Sequence, residues 1–219
     1  MEQGAAHIAR ADPVLGAFIA RHGPLKRARP EFKEPYHALL SAVAHQQLHA
    51  RAALAIFGRL KAACGEVVPD PRTLLALPDE TLRACGFSAS KMAALRDVAA
   101  KAVDGTIPSR ARALRLSGED LTARLTSIRG VGRWTVEMML IFTLRSPDVW
   151  PVDDFGVREG YKRLHGLAAQ PKPKALATVG LGFAPYRSMA ALYLWRVADA
   201  PKGDFAMPVP GCLQADDTF

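Results

Sequence analysis

Apolar positions recur at three- and four-residue intervals along most of the chain, with polar positions between them. Leu39, Leu40 and Val43 follow Pro35 at helical spacing. The pattern breaks at His45-Gln46-Gln47 and resumes over residues 50–63 before Gly65. Asp12-Pro13 predicts a capped helix start with a first-turn proline, closed by Gly23. Asp70-Pro71 and Asp79 each open a short helix, and Ser88 or Ser90 caps one that ends near Gly105. Residues 118–127 and 133–145 read as two further helices, and Asp153, Lys174 and Pro185 each stand near the start of a later one. The first 35 residues read as one helix and a basic linker, Lys26-Arg27-Ala28-Arg29, and the Pro/Gly-rich stretch after Asp199 reads as irregular. No segment sustains two-residue alternation, so the fold class is all-α.

Composition narrows the partners. The 219 residues are 49% apolar, enough for a sizeable core, and the net charge is +8, which suits a polyanion. Nucleic acid and an anionic membrane both qualify. No apolar run approaches the ~18–20 residues of a membrane span, and MEQGAAHIARADP is not a secretory signal, so the expected location is the cytoplasm. Cys64, Cys85 and Cys212 have neither zinc-ligand nor disulfide spacing; Cys64 and Cys85 read as buried structural thiols.

Two stretches carry candidate chemistry. In SIRGVGRWTVEMML, residues 127–140, Gly130 and Gly132 allow a tight turn between helices. The second helix would then offer unpaired N–H groups and a partial positive charge to a phosphate, flanked by Arg129 and Arg133, with Ile128 and Val131 as apolar feet. An ordinary helical hairpin accounts for the same glycines. In VWPVDDFG, residues 149–156, Pro151 precedes the adjacent acids Asp153 and Asp154 at a helix start. Neighbours cannot point the same way on a helix, so one can cap while the other faces elsewhere. Two solvated acids are the plainer alternative.

Taken together, the order and spacing of four segments resemble the helix–hairpin–helix DNA glycosylases, and most closely their DNA-3-methyladenine glycosylase II branch. The segments are SAVAHQQLHARAA (41–53), LTSIRGVGRWTVEMML (125–140), DVWPVDDFGVREG (148–160) and FAPYRSMAALYLW (183–195). The resemblance spans roughly residues 36–200. It implies a two-lobed helical fold with the active site between the lobes: residues 36–145 form a central lobe with the hairpin at 121–144, residues 1–35 and 146–219 form the second, and an N-terminal β domain is absent. It also implies a monomer that excises alkylated bases such as 3-methyladenine and 7-methylguanine from duplex DNA.

The same resemblance assigns residues. Asp154 becomes the catalytic acid, with Asp153 serving the helix start. Trp134 stands where lyase branches carry a nucleophilic lysine; an indole cannot form a Schiff base, so a monofunctional glycosylase is expected. Trp134, Trp195 and Phe155 become the base pocket, where an aromatic face attracts a cationic methylated purine by about 0.5–2 kcal/mol. Core packing is the alternative for Trp195. Gly130, Gly132, Arg133 and Arg187 become DNA contacts, although Arg187 and Ser188 could equally brace the active-site helix. Gln47, with Leu48 close behind, matches the wedge that fills the gap left by an extruded base; a polar helix connection is the alternative. The main-chain carbonyls of Thr126, Ile128 and Val131 match a monovalent-cation site. No cofactor is required, and no iron–sulfur cluster is expected, because the four cysteines of other branches are missing. Met138 and His45 depart from the pattern; His45 replaces a small residue. The rivals are a glycosylase for deaminated or oxidised bases and a non-catalytic helix–hairpin–helix DNA-binding protein.

Overall fold

The structure, a computed structural model, describes residues 2–25, 29–65 and 68–201. Lys26, Arg27, Ala28, Cys212 and nearly all of the Pro/Gly-rich tail lie outside the described residues. Every regular element among the described residues is helical, and the chain divides into two compact units: residues 1–27 with 150–219, and residues 28–149.

The N-terminal segment contains two helices where the sequence suggested one: α1 (Glu2–Ala11) and α2 (Pro13–His22). Asp12 makes the break. Its Oδ1 accepts the N–H groups of Val14 and Leu15 at 3.0 Å each, so the second helix starts afresh with Pro13 in its first turn. Gly16 lets the two helices cross closely, because a Cβ there would stand 2.6 Å from the Ala9 Cβ.

The second unit begins before Pro35. Glu34 accepts the Arg110 N–H at 2.9 Å and the Lys33 carbonyl accepts the Arg110 guanidinium at 3.1 Å, which joins residues 33–34 to this unit. The unit covers residues 28–149, and within it the Ser146 N–H bonds Leu140 O at 2.9 Å. Its helices are α3 (Pro35–His45), α4 (Ala50–Cys64), α5 (Pro71–Ala76), α6 (Asp79–Cys85), α7 (Ala89–Val103), α8 (Arg110–Ala113), α9 (Gly118–Leu125) and α10 (Arg133–Met138). The four-residue α8 is too short to leave a periodic signal. Ser88, rather than Ser90, caps α7 by accepting the Lys91 N–H. Beyond Met138 the helix widens into a π-helical turn, Met139–Leu144, which ends at left-handed Arg145. Leu39, Leu40, Leu60, Leu74, Leu82, Leu95, Leu125 and Ile141 are fully buried in this unit. Cys85 is buried there; Cys64 is only half-buried, because its helix packs through other positions.

The chain then returns to the first unit with α11 (Phe155–Leu164), α12 (Pro173–Leu181) and α13 (Arg187–Asp199). Ile8, Leu15, Phe18, Trp150, Val157, Leu176, Phe183 and Leu194 form their common core with α1 and α2. Burying this apolar surface drives the association, at about 1.5–3 kcal/mol per large side chain. Two glycines one turn apart set the approach of α11 to α13. A Cβ on Gly160 would collide with the Leu194 backbone, and one on Gly156 would stand 2.5 Å from Trp195 Cδ1.

Candidate active site

The acid comes from a turn that the sequence partly hides. Pro151 stops any preceding helix, and the Asp154 N–H closes a tight turn onto the Pro151 carbonyl at 3.1 Å. Asp153 occupies the exposed corner of that turn. Asp154 turns inward, only 7% exposed, and caps α11: its Oδ1 accepts the Val157 N–H at 2.8 Å. The expected division of labour is thus corrected. Asp154, not Asp153, serves the helix start, because the turn directs Asp153 to solvent. The same Oδ1 accepts the indole N–H of Trp195 at 2.8 Å. Two donors from α11 and α13 fix one oxygen, and the macrodipole of α11 favours negative charge at this end. The base-pocket expectation for Trp195 gains a second term: its polar edge holds the acid. Phe155, the next residue, is 71% exposed. Arg187 opens α13, half-buried, beside buried Ser188.

In the other unit, the hairpin between α9 and α10 separates the two glycines by role. Gly130 has φ +80°, a left-handed conformation suited to glycine, and a Cβ there would press on the Ala94 Cβ at 3.2 Å. Gly132 has an ordinary φ of −91°, and a Cβ there would meet nothing within 4 Å. Of the two glycines, only Gly130 takes a backbone angle that the turn reserves for glycine. Buried Ile128 and Val131 anchor the turn. The Arg129 N–H bonds Asp97 Oδ2 at 2.7 Å, and Arg133 pairs with Glu119 at 3.1 Å on the surface. Gly132, the N-cap of α10, supplies no side-chain cap.

Gln47 and Leu48 follow α3 on an exposed loop, with Gln47 at a left-handed φ of 57°. Gln46 Nε2 donates to the Gly130 carbonyl at 2.8 Å, so this loop and the hairpin touch. His45, unexplained by the sequence, ends α3: its Nδ1 lies 2.7 Å from the Ser41 carbonyl and its ring packs near Phe57.

The matches to known proteins agree with this geometry. Residues 40–180 match the family described as HhH-GPD superfamily base excision DNA repair protein. The chain is a member of this HhH-GPD superfamily. It is 45% identical over 180 residues to DNA-3-methyladenine glycosylase 1 of Schizosaccharomyces pombe, covering 82% of this chain and 78% of that protein. It is similar to the structure of the S. pombe 3-methyladenine DNA glycosylase in complex with abasic DNA, at TM-score 0.76, 41% identity, and 89% and 95% coverage of the two chains. It is also similar to DNA-3-methyladenine glycosidase from Bacillus halodurans, at TM-score 0.83 and 33% identity, with 90% and 89% covered.

In this HhH-GPD chain Trp134 is the second residue of α10 and 50% exposed, a large indole left at the surface beside the hairpin. The Thr126, Ile128 and Val131 carbonyls belong to the hairpin turn. The Ile128 carbonyl accepts the Val131 N–H at 3.0 Å and retains a second lone pair. This uncharged, oxygen-only donor set is chemically compatible with a hard monovalent cation. Sequence reading missed the Trp195–Asp154 bond and the role of Gly156, since nothing in the chain signals a contact across 41 residues. It also missed Lys91, whose signal was available: a lysine three residues into α7 sits at the wrong end of its own helix dipole.

Proposed function

We propose that this protein is a monofunctional DNA glycosylase that releases alkylated purines from duplex DNA and leaves an intact abasic site. The observation that carries the reading is the buried Asp154 carboxylate, held on Oδ1 by Trp195 and the α11 start, next to exposed Phe155. Hydrolysis breaks the C1′–N bond, and its electron pair leaves with the base, cancelling the positive charge of a methylated purine. The sugar passes through an oxocarbenium-like state that a fixed carboxylate stabilises at no reorganisation cost. Water bonds to C1′ and its proton passes to solvent, leaving the C1′ hydroxyl of the abasic sugar.

The other residues serve recognition. Gly132 is glycine although neither its own φ nor its protein neighbours require it, which supports a phosphate approaching the backbone at the start of α10. Arg133 exchanges its exposed Glu119 partner for that phosphate, and Arg187 supports the backbone contact from α13. The exposed rings of Trp134 and Phe155 take the cationic base. Gln47, with Leu48 behind it, fills the gap in the duplex. The carbonyls of Thr126, Ile128 and Val131 would hold a monovalent cation, which would add positive charge at the hairpin. Trp134 in place of a lysine supports base release without strand cutting. The enzyme acts as a monomer on cytoplasmic DNA.

Base release from DNA bearing 3-methyladenine and 7-methylguanine, run beside hypoxanthine and 8-oxoguanine duplexes, tests the substrate class. Preferential release of the methylated bases is expected, and preference for either other lesion would overturn it. Efficient β-elimination cleavage of abasic DNA would overturn the monofunctional assignment.

A further inference from the structure

The loop that carries Gln47 is pinned from two sides. Gln46 Nε2 reaches the Gly130 carbonyl, and Lys91 Nζ donates to the Ala44 and Gln46 carbonyls at 2.8 and 2.6 Å. Those carbonyls lie at the C-terminal end of α3, where helix carbonyls lack intrahelical partners and carry partial negative charge. This explains a lysine at the unfavourable end of α7: it caps another helix. Burial lowers the Lys91 pKa, as befits an ammonium drawn in from solvent. Along α7, Ala94 lies under Gly130, and Asp97, three residues on, receives the Arg129 N–H. One helix therefore supports both the hairpin and the Gln47 loop.

We propose that Lys91 and Gln46 are positioning residues that preset the left-handed conformation of Gln47 and hold it in register with the hairpin before DNA arrives. Neither touches the reacting atoms. Their effect falls on base extrusion, because a loop ordered in advance pays no ordering entropy when the duplex opens. The inference rests on the wedge role given to Gln47.

Single-turnover release of 7-methylguanine on two duplexes tests it, one with cytosine opposite the lesion and one with an abasic analogue there, which leaves no base to orphan. Lys91→Met is expected to slow release from the paired duplex roughly tenfold or more, as for loss of hydrogen bonds from a charged donor. On the orphan-free duplex the loss should shrink to under about threefold, because less extrusion work remains there. Gln46→Ala should fall in the same direction, and Lys91→Arg should lose less than Lys91→Met. If melting shows that Lys91→Met does not fold, Gln46→Ala decides by the same comparison. Gln47→Ala separates the two claims. No paired-selective loss in Gln47→Ala defeats the wedge reading itself. Paired-selective loss there, with equal losses or none in Lys91→Met and Gln46→Ala, defeats the bracing role.

Discussion

Trp195 donates its indole N–H to the oxygen of Asp154 that also caps α11, at 2.8 Å. The bond exists because Gly156 leaves room for the ring: a Cβ there would stand 2.5 Å from Trp195 Cδ1 and 3.3 Å from Asp154 Oδ1. Removing the donor leaves the acid less fixed. Trp195→Phe is expected to lower kcat for base release by roughly 10- to 100-fold, the range for a hydrogen bond to a charged group. Affinity for undamaged duplex should change little. Single-turnover rates beside a binding titration check this, and a loss confined to binding would oppose it.

Gly156→Ala should act on the same contact from the other side. The added methyl forces the indole away in a packed interface, costing about 1–3 kcal/mol. A lower Tm together with slower base release is expected; unchanged release would detach Trp195 from the chemistry.

The hairpin glycines should respond in opposite ways. Gly130→Ala forces a left-handed residue with a side chain against Ala94, so it should lower stability by about 1–2 kcal/mol. Gly132→Ala meets no protein atom and should leave Tm unchanged or raised. It should nonetheless weaken DNA binding several-fold if a phosphate approaches there. Thermal melting and a binding titration on both variants separate these outcomes.

Most of the helical outline was legible, because caps and periodicity are local: Asp12, Asp70 and Ser88 each announce the helix they start. The roles of Asp153 and Asp154 were not legible, since two adjacent aspartates cap equally well and only the turn at Pro151 decides which points inward. The four-residue α8 and the π-helical turn after Met138 carry no distinct period. The bracing by Lys91 spans 45 to 47 residues and arises from packing of α7 on α3, which no window of sequence contains.

Stability should depend on acid pH through Asp12. Burial raises its pKa, but the His165 hydrogen bond and the N–H groups of Leu15 and Val14 outweigh burial and hold the carboxyl below its ordinary value. A depressed carboxyl stabilises the fold above its unfolded pKa, about 4, and that stabilisation is lost as pH falls through the lower folded value. Asp12→Ala should therefore cost about 2 kcal/mol or more at neutral pH, from the lost cap and the lost bond to His165. It should also flatten the decline in stability below about pH 4. Denaturant melts across that window check both effects, and an unaltered acid slope would contradict the assignment.

Asp154→Asn tests the central claim most directly. Asparagine caps a helix about as well as aspartate, so the variant should fold and keep its duplex affinity while losing only the charge. Release of methylated purines is expected to fall by roughly 100-fold or more, as for removal of a preorganised electrostatic group. If Asp154→Asn, folded and DNA-binding, released methylated bases at the wild-type rate, Asp154 would be a helix cap alone and the catalytic account would fail.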